Sequence, residues 1–84
     1  MNVTEELEKF ILTELAFDLD KKSIASDEDL LMQGVIDSMG IIRLATFMEE
    51  KFGIKVTDED LIPENFQNID SIKKYLASKS NTIN

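Results

Sequence analysis

The sequence predicts an all-α domain: a small four-helix bundle of three main helices and one short helix, with a long first loop. Three observations predict it. The 84 residues suit one domain, since domains of ~50 to 200 residues fold around a single core. One Pro and three Gly interrupt the chain, too few for a turn-rich β fold. Apolar side chains recur at the three- and four-residue spacings of a helical face, and at 43% hydrophobic the chain can fill a core. Residues 1–84 read as one domain, with 79–84 as a frayed tail.

Val3, Leu7, Phe10, Ile11 and Leu15 place the first helix at about Val3 to Leu15. Asn2 and Glu5 fit a capping box at its start. From Ala16 to Asp37 the periodicity fails, over a connection longer than the ~12 to 15 residues at which loops become uncommon. Phe17, Leu19, Ile24, Leu30, Leu31 and Ile36 are spaced to anchor it across the helices, with one helical turn after Ser26 or Asp27 and a turn at Gly34. The second helix runs from Ser38 to Phe52 and stops at Gly53. Ile54 to Val56 is too short a run to imply a sheet. Thr57 caps a short third helix over Asp58 to Phe66, disturbed by Pro63. The last helix spans Ile69 to Ser78, capped by Asn68 or Asp70, with Ile69, Ile72, Tyr75 and Leu76 inward.

Composition removes whole classes of function. Without Cys there is no disulfide, thiolate nucleophile or Cys-ligated metal, and without His there is no imidazole base and no Ser-His-Asp triad. A stand-alone enzyme is therefore disfavoured, a serine hydrolase included. Nine basic and seventeen acidic side chains give net charge −8, which repels nucleic acid and anionic lipid and suits basic protein partners. The first residues are acidic, with no basic signal region, and no apolar run approaches the ~18 residues that span a bilayer. We expect a soluble, cytoplasmic monomer that does not insert into membranes. Asp27 to Asp29 and Asp58 to Asp60 lack the spacing of a calcium loop, so no metal site is assigned and they read as caps.

The informative stretch is Gly34-Val35-Ile36-Asp37-Ser38-Met39-Gly40-Ile41-Ile42-Arg43-Leu44. At ~100° per residue, Ile41, Leu44, Ala45, Met48 and Phe52 form the buried stripe of the second helix. Met39 and Ile42 fall outside it, beside Ser38, where a solvated helix carries polar residues. Such exposed apolar surface suggests docking. A helix N-terminus also favours a phosphate group, through free amides and the helix dipole. Asp-Ser before a helix is equally an ordinary capping sequence. Gly40 in the first turn costs ~1 kcal/mol relative to Ala, which fits either close approach at Ser38 or simple tolerance. Ser38 has no base to activate it, so any chemistry there must come from another protein.

Gly34-Val35-Ile36-Asp37-Ser38-Met39, followed by an amphipathic helix ending in Glu49-Glu50-Lys51-Phe52-Gly53, resembles the Gly-x-x-Asp-Ser-Leu motif of the acyl carrier protein family. The order and length of the helices match that family over nearly the whole chain. The resemblance implies that Ser38 is where a phosphopantetheinyl transferase, using coenzyme A and magnesium, attaches 4'-phosphopantetheine. The arm's thiol would carry acyl or aminoacyl groups as thioesters, loaded by a ligase and delivered to synthase or transferase enzymes. Asp37 would assist transferase recognition, and Met39, Ile42 and Arg43 would belong to the partner-binding surface; no residue would be catalytic.

Met39 replaces the usual Leu, a mild change. Gly40 and Arg43 replace residues that are often acidic in fatty-acid carriers. Residues 1–37 hold ten acids and three bases, whereas residues 38–84 hold seven and six, so the second helix is nearly neutral and steering onto basic partners is weakened. That points to a specialised pathway rather than bulk fatty acid synthesis. The alternative is an acidic helical interaction module that binds through Met39 and Ile42 without modification. Phe47, at the edge of the wheel, either seals the bundle or walls a cargo cavity, and Phe10, Phe66 and Tyr75 read as core.

Overall fold

A computed structural model describes residues 2–16 and 22–83. These residues are helical and turn segments without a strand. Three α-helices are present: α1 (Val3–Phe10), α2 (Ser38–Phe52) and α3 (Ile69–Ile83). The expected fourth, short helix is instead two 3₁₀ turns, Asp58–Asp60 and Pro63–Asn65. Pro63 explains the break. Its ring disfavours helical backbone at the preceding residue, and Ile62 is extended (φ −114°, ψ 149°), so the helix cannot run through and restarts with Pro63 in its first turn.

Helix α1 starts as the sequence predicts, with the Asn2 side chain accepting from the Glu5 amide at 3.2 Å. Its second half differs from the expected α-helix. Ile11–Leu15 form a π-helical turn, closed by the Ala16 amide on the Ile11 carbonyl at 2.8 Å. The Thr13 hydroxyl donates to the Lys9 carbonyl at 2.7 Å, a back-bond that loosens the α-helical ladder there.

Phe17 and Leu19, two of the expected loop anchors, lie outside the described residues. Among the others, Ile24, Leu30 and Ile36 are buried and Leu31 is half-buried. The connection has no helix after Ser26 or Asp27; it has a hydrogen-bonded turn, later, at Asp29 to Gln33. Asp29 opens it by accepting from the Met32 amide at 2.9 Å, and the Gln33 amide closes on the Asp29 carbonyl at 3.0 Å. Gly34 ends it with φ +72°. The Val35 amide then returns to the Leu30 carbonyl at 2.9 Å and the Gly34 amide to that of Leu31 at 3.2 Å. This is the paired closure of a Schellman motif, in which a left-handed glycine turns the chain sharply. Backbone bonds from Leu30 to Gln67 and from Asp70 to Ser26 fasten the connection to the entrance of α3.

Helix α2 buries Ile41, Leu44, Ala45 and Met48 and ends at Gly53, φ +70°, as expected. Helix α3 is capped by Asn68, whose side chain accepts from the Ser71 amide at 2.7 Å. It continues to Ile83, not Ser78, because neither Gly nor Pro stands between Ala77 and Ile83 to stop it. Ile69, Ile72, Tyr75 and Leu76 face the core, joined by Leu7, Ile11, Leu30, Leu44, Met48 and Phe66. Phe10 is only half-buried, contrary to its assignment to the core. It stacks on Phe47, ring centres 4.2 Å apart, and Phe47 meets Phe52 edge-on at 6.0 Å. Phe47 thus seals the seam between α1 and α2.

Candidate functional site

The turn at Gly34 delivers a short extended segment to the start of α2. Val35 and Ile36 are buried, and the Leu30 carbonyl accepts from both their amides, at 2.9 and 3.2 Å. With two consecutive side chains inside the protein, the next residues are held at the surface. Asp37 has extended backbone (φ −123°, ψ −170°) and its carboxylate accepts from the Gly40 amide at 2.8 Å. Asp37, not Ser38, is therefore the N-cap, and Ser38 is the first helical residue. Ser38 is exposed, and among the described residues its hydroxyl makes no hydrogen bond. The capping reading of the Asp-Ser pair is thus met by Asp37 alone, leaving the serine oxygen available at the positive end of a 15-residue helix.

Gly40 owes its identity to packing within the chain. A Cβ there would stand 3.2 Å from the Ile36 Cβ and 3.4 Å from the Asp37 carboxylate, so a side chain would push against both the buried strap and the cap. A ligand at Ser38 is not needed to explain it.

Met39 and Ile42 are 65% and 49% exposed, so both apolar residues that the helical wheel put outside the core remain outside it. They lie in different hollows. Met39 lines a cleft of about 310 Å³ with Leu15, Asp37, Gly40, Arg43 and the segment Gly34 to Ile36. Ile42 lies in a shallow groove with Phe10, Thr46, Phe47 and Glu50. Arg43 borders both. Its guanidinium donates to the Glu14 carbonyl at 3.0 Å and approaches the Glu14 carboxylate at 3.6 Å, tying the end of the first helical segment to α2. That tie is the feature sequence reading missed. Leu15 and Glu14 carry only the signal of a helix end, and nothing in their spacing announces the partner.

The site holds no general base: the chain has neither His nor Cys, and the Asp37 carboxylate is engaged by the helix it caps. It offers a hydroxyl, helix amides and apolar flanks, which suit attachment and docking. Residues 6–76 match the family described as a phosphopantetheine attachment site. The chain belongs to the acyl carrier protein family. It is similar to an acyl carrier protein of Phytoplasma mali (strain AT), 31% identical over 74 residues that cover 88% of this chain and 83% of the relative. Acyl carrier proteins are non-catalytic carriers, and the prosthetic group of this one is covalent 4'-phosphopantetheine. The residues fit that group, since an exposed serine hydroxyl with no partner among the described residues stands at a helix start that favours a phosphodiester. Among the described residues of this carrier no helix is long and apolar enough to cross a membrane, and no cluster of acidic side chains is placed to hold a metal ion.

Proposed function

We propose that Ser38 is the residue that carries the arm, and that the protein delivers acyl or aminoacyl groups to partner enzymes in a specialised biosynthetic pathway. The observation that carries this reading is the division of labour between Asp37 and Ser38: the aspartate caps the helix, and the serine is left exposed beside it. In the attachment step the Ser38 oxygen bonds to the pantetheine-side phosphorus of coenzyme A. The pyrophosphate P–O bond breaks, adenosine 3',5'-bisphosphate leaves, and the hydroxyl proton passes to a base on the transferase. Asp37 holds the serine in register for that enzyme. Once attached, the arm supplies a thiol on which a carboxylic acid is held as a thioester.

Met39, Ile42 and Arg43 form the surface that the transferase, a loading ligase and the consuming synthases grip. The specialised pathway is supported by charge. Within α2, Arg43 and Lys51 balance Glu49 and Glu50, so the helix presents little net negative charge to steer a basic enzyme.

The test is intact mass after incubation with a broad-specificity phosphopantetheinyl transferase, magnesium and coenzyme A. One addition, mapped to Ser38 and lost in Ser38→Ala, is expected. Equal loading and elongation by fatty acid synthase enzymes and by an adenylating ligase would refute the specialised pathway while leaving the carrier reading intact.

A further inference from the structure

We infer that the cleft between the end of the first helical segment and α2 is the resting site of the pantetheine arm. The inference rests on Ser38 being the attachment point. Three properties of the cleft carry it. The first is position: Ser38 is not itself part of the lining, but Asp37 and Met39, its neighbours on either side, both are, so an arm tethered at Ser38 starts beside the cleft. The second is size, since about 310 Å³ lies at the small end of the ~300 to 1,000 Å³ range of ligand pockets, as suits a thin chain rather than a bulky molecule. The third is chemistry.

Pantetheine alternates two secondary amides and a hydroxyl with a geminal dimethyl group. The cleft is lined by Arg43, which brings a guanidinium, and by Asp37, together with the apolar residues Leu15 and Met39. A guanidinium has five N–H donors, and Glu14 engages two of its nitrogens from one side, fixing the plane while leaving donors for an arm carbonyl. An alkyl cargo would forfeit those polar groups, because burying donors without partners is costly. The cleft therefore suits the arm itself, with the thiol end and its cargo left to partner enzymes. Fixing Arg43 through Glu14 also means that the site is built before the arm arrives, which limits the ordering cost of binding.

The test uses the full chain converted to the holo form with ¹³C-labelled pantetheine, its single addition confirmed by mass, followed by nuclear Overhauser measurements from the geminal methyls. Contacts to the methyl groups of Leu15 and Met39 are expected, with shift changes at Gly34 to Gly40 and at the Arg43 side chain. Arg43→Met, which keeps an apolar stem and removes the donors, should cut the cross-peak intensities by at least half. The wild-type measurement stands by itself if that variant unfolds. A confirmed holo protein whose arm methyls show no contact to Leu15 or Met39 would overturn the resting site alone. Failure to add any mass at Ser38 would overturn the attachment reading as well.

Discussion

The guanidinium of Arg43, on α2, donates to the backbone carbonyl of Glu14, 29 residues earlier, at 3.0 Å. The bond falls on the π-helical turn Ile11–Leu15, where carbonyl direction departs from the α-helix and can serve a partner outside the helix. Arg43→Glu should lower stability by about 1 kcal/mol, since it removes a charge-assisted bond and sets a carboxylate against that of Glu14. Both side chains are half-exposed, so the loss should shrink in high salt. Urea unfolding at low and high ionic strength measures both effects.

Capping by Asp37 and the proposed attachment at Ser38 fall on separate residues. Ser38→Ala should abolish modification and leave stability within about 0.5 kcal/mol of the parent, as for a surface substitution. Asp37→Ala should cost about 1 kcal/mol through the lost cap and slow the transferase without abolishing its action. Denaturant unfolding paired with transferase kinetics distinguishes the two.

Replacing Gly by Ala inside a helix ordinarily stabilises by ~1 kcal/mol. Gly40→Ala should not, because the new Cβ meets Ile36 at 3.2 Å and the cap carboxylate at 3.4 Å. We expect a change between zero and about 1 kcal/mol of destabilisation, by the overpacking of a filled site. A gain of the full helix-propensity term would show that Ile36 and Asp37 yield freely.

The Asp60 carboxylate meets Lys79 at 2.9 Å, the Tyr75 hydroxyl at 2.8 Å and the Thr57 amide at 3.2 Å. The Lys79 contact first, then Tyr75, holds its carboxyl well below the usual carboxylate range. A depressed folded-state pKa contributes stability that is present above the ordinary value of about 4 and is lost as pH falls below it. Tyr75 shifts the other way: burial first, then Asp60, pushes its phenol up. Its contribution is present below about pH 10, the ordinary tyrosine value, and is lost as pH rises beyond it. Asp60→Asn should therefore flatten the acid limb of the stability profile below about pH 4 and weaken the alkaline limb above about pH 10. Thermal unfolding from acid to alkaline pH reads both limbs.

Much of this protein is legible in its residue order, because the relevant forces are local. Helix periodicity places α1, α2 and α3, and the left-handed glycines at 34 and 53 mark turns because few other residues take positive φ at low cost. The Asp-Ser pair and the Met39 and Ile42 side chains outside the core stripe follow from the helical wheel. The third segment is the instructive miss: acids and a Thr cap promised a helix, but Pro63 forced Ile62 to be extended and left two 3₁₀ turns. Phe10 misled for a different reason: it packs on Phe47 at the edge of the core, so a position on the apolar stripe is covered on one side only.

By itself, then, the sequence determined the helical class, the absence of an imidazole to activate Ser38, and the exposed apolar residues beside it, since each depends on residue type and spacing along the chain. Only the tertiary structure decided which residue caps α2, that a Cβ at Gly40 would be tight against Ile36, and that Leu15, Met39 and Arg43 share a cleft. Those relations join residues from separate elements. They depend on how buried Leu30, Val35 and Ile36 fasten the connection against the core, a packing outcome that no local spacing encodes.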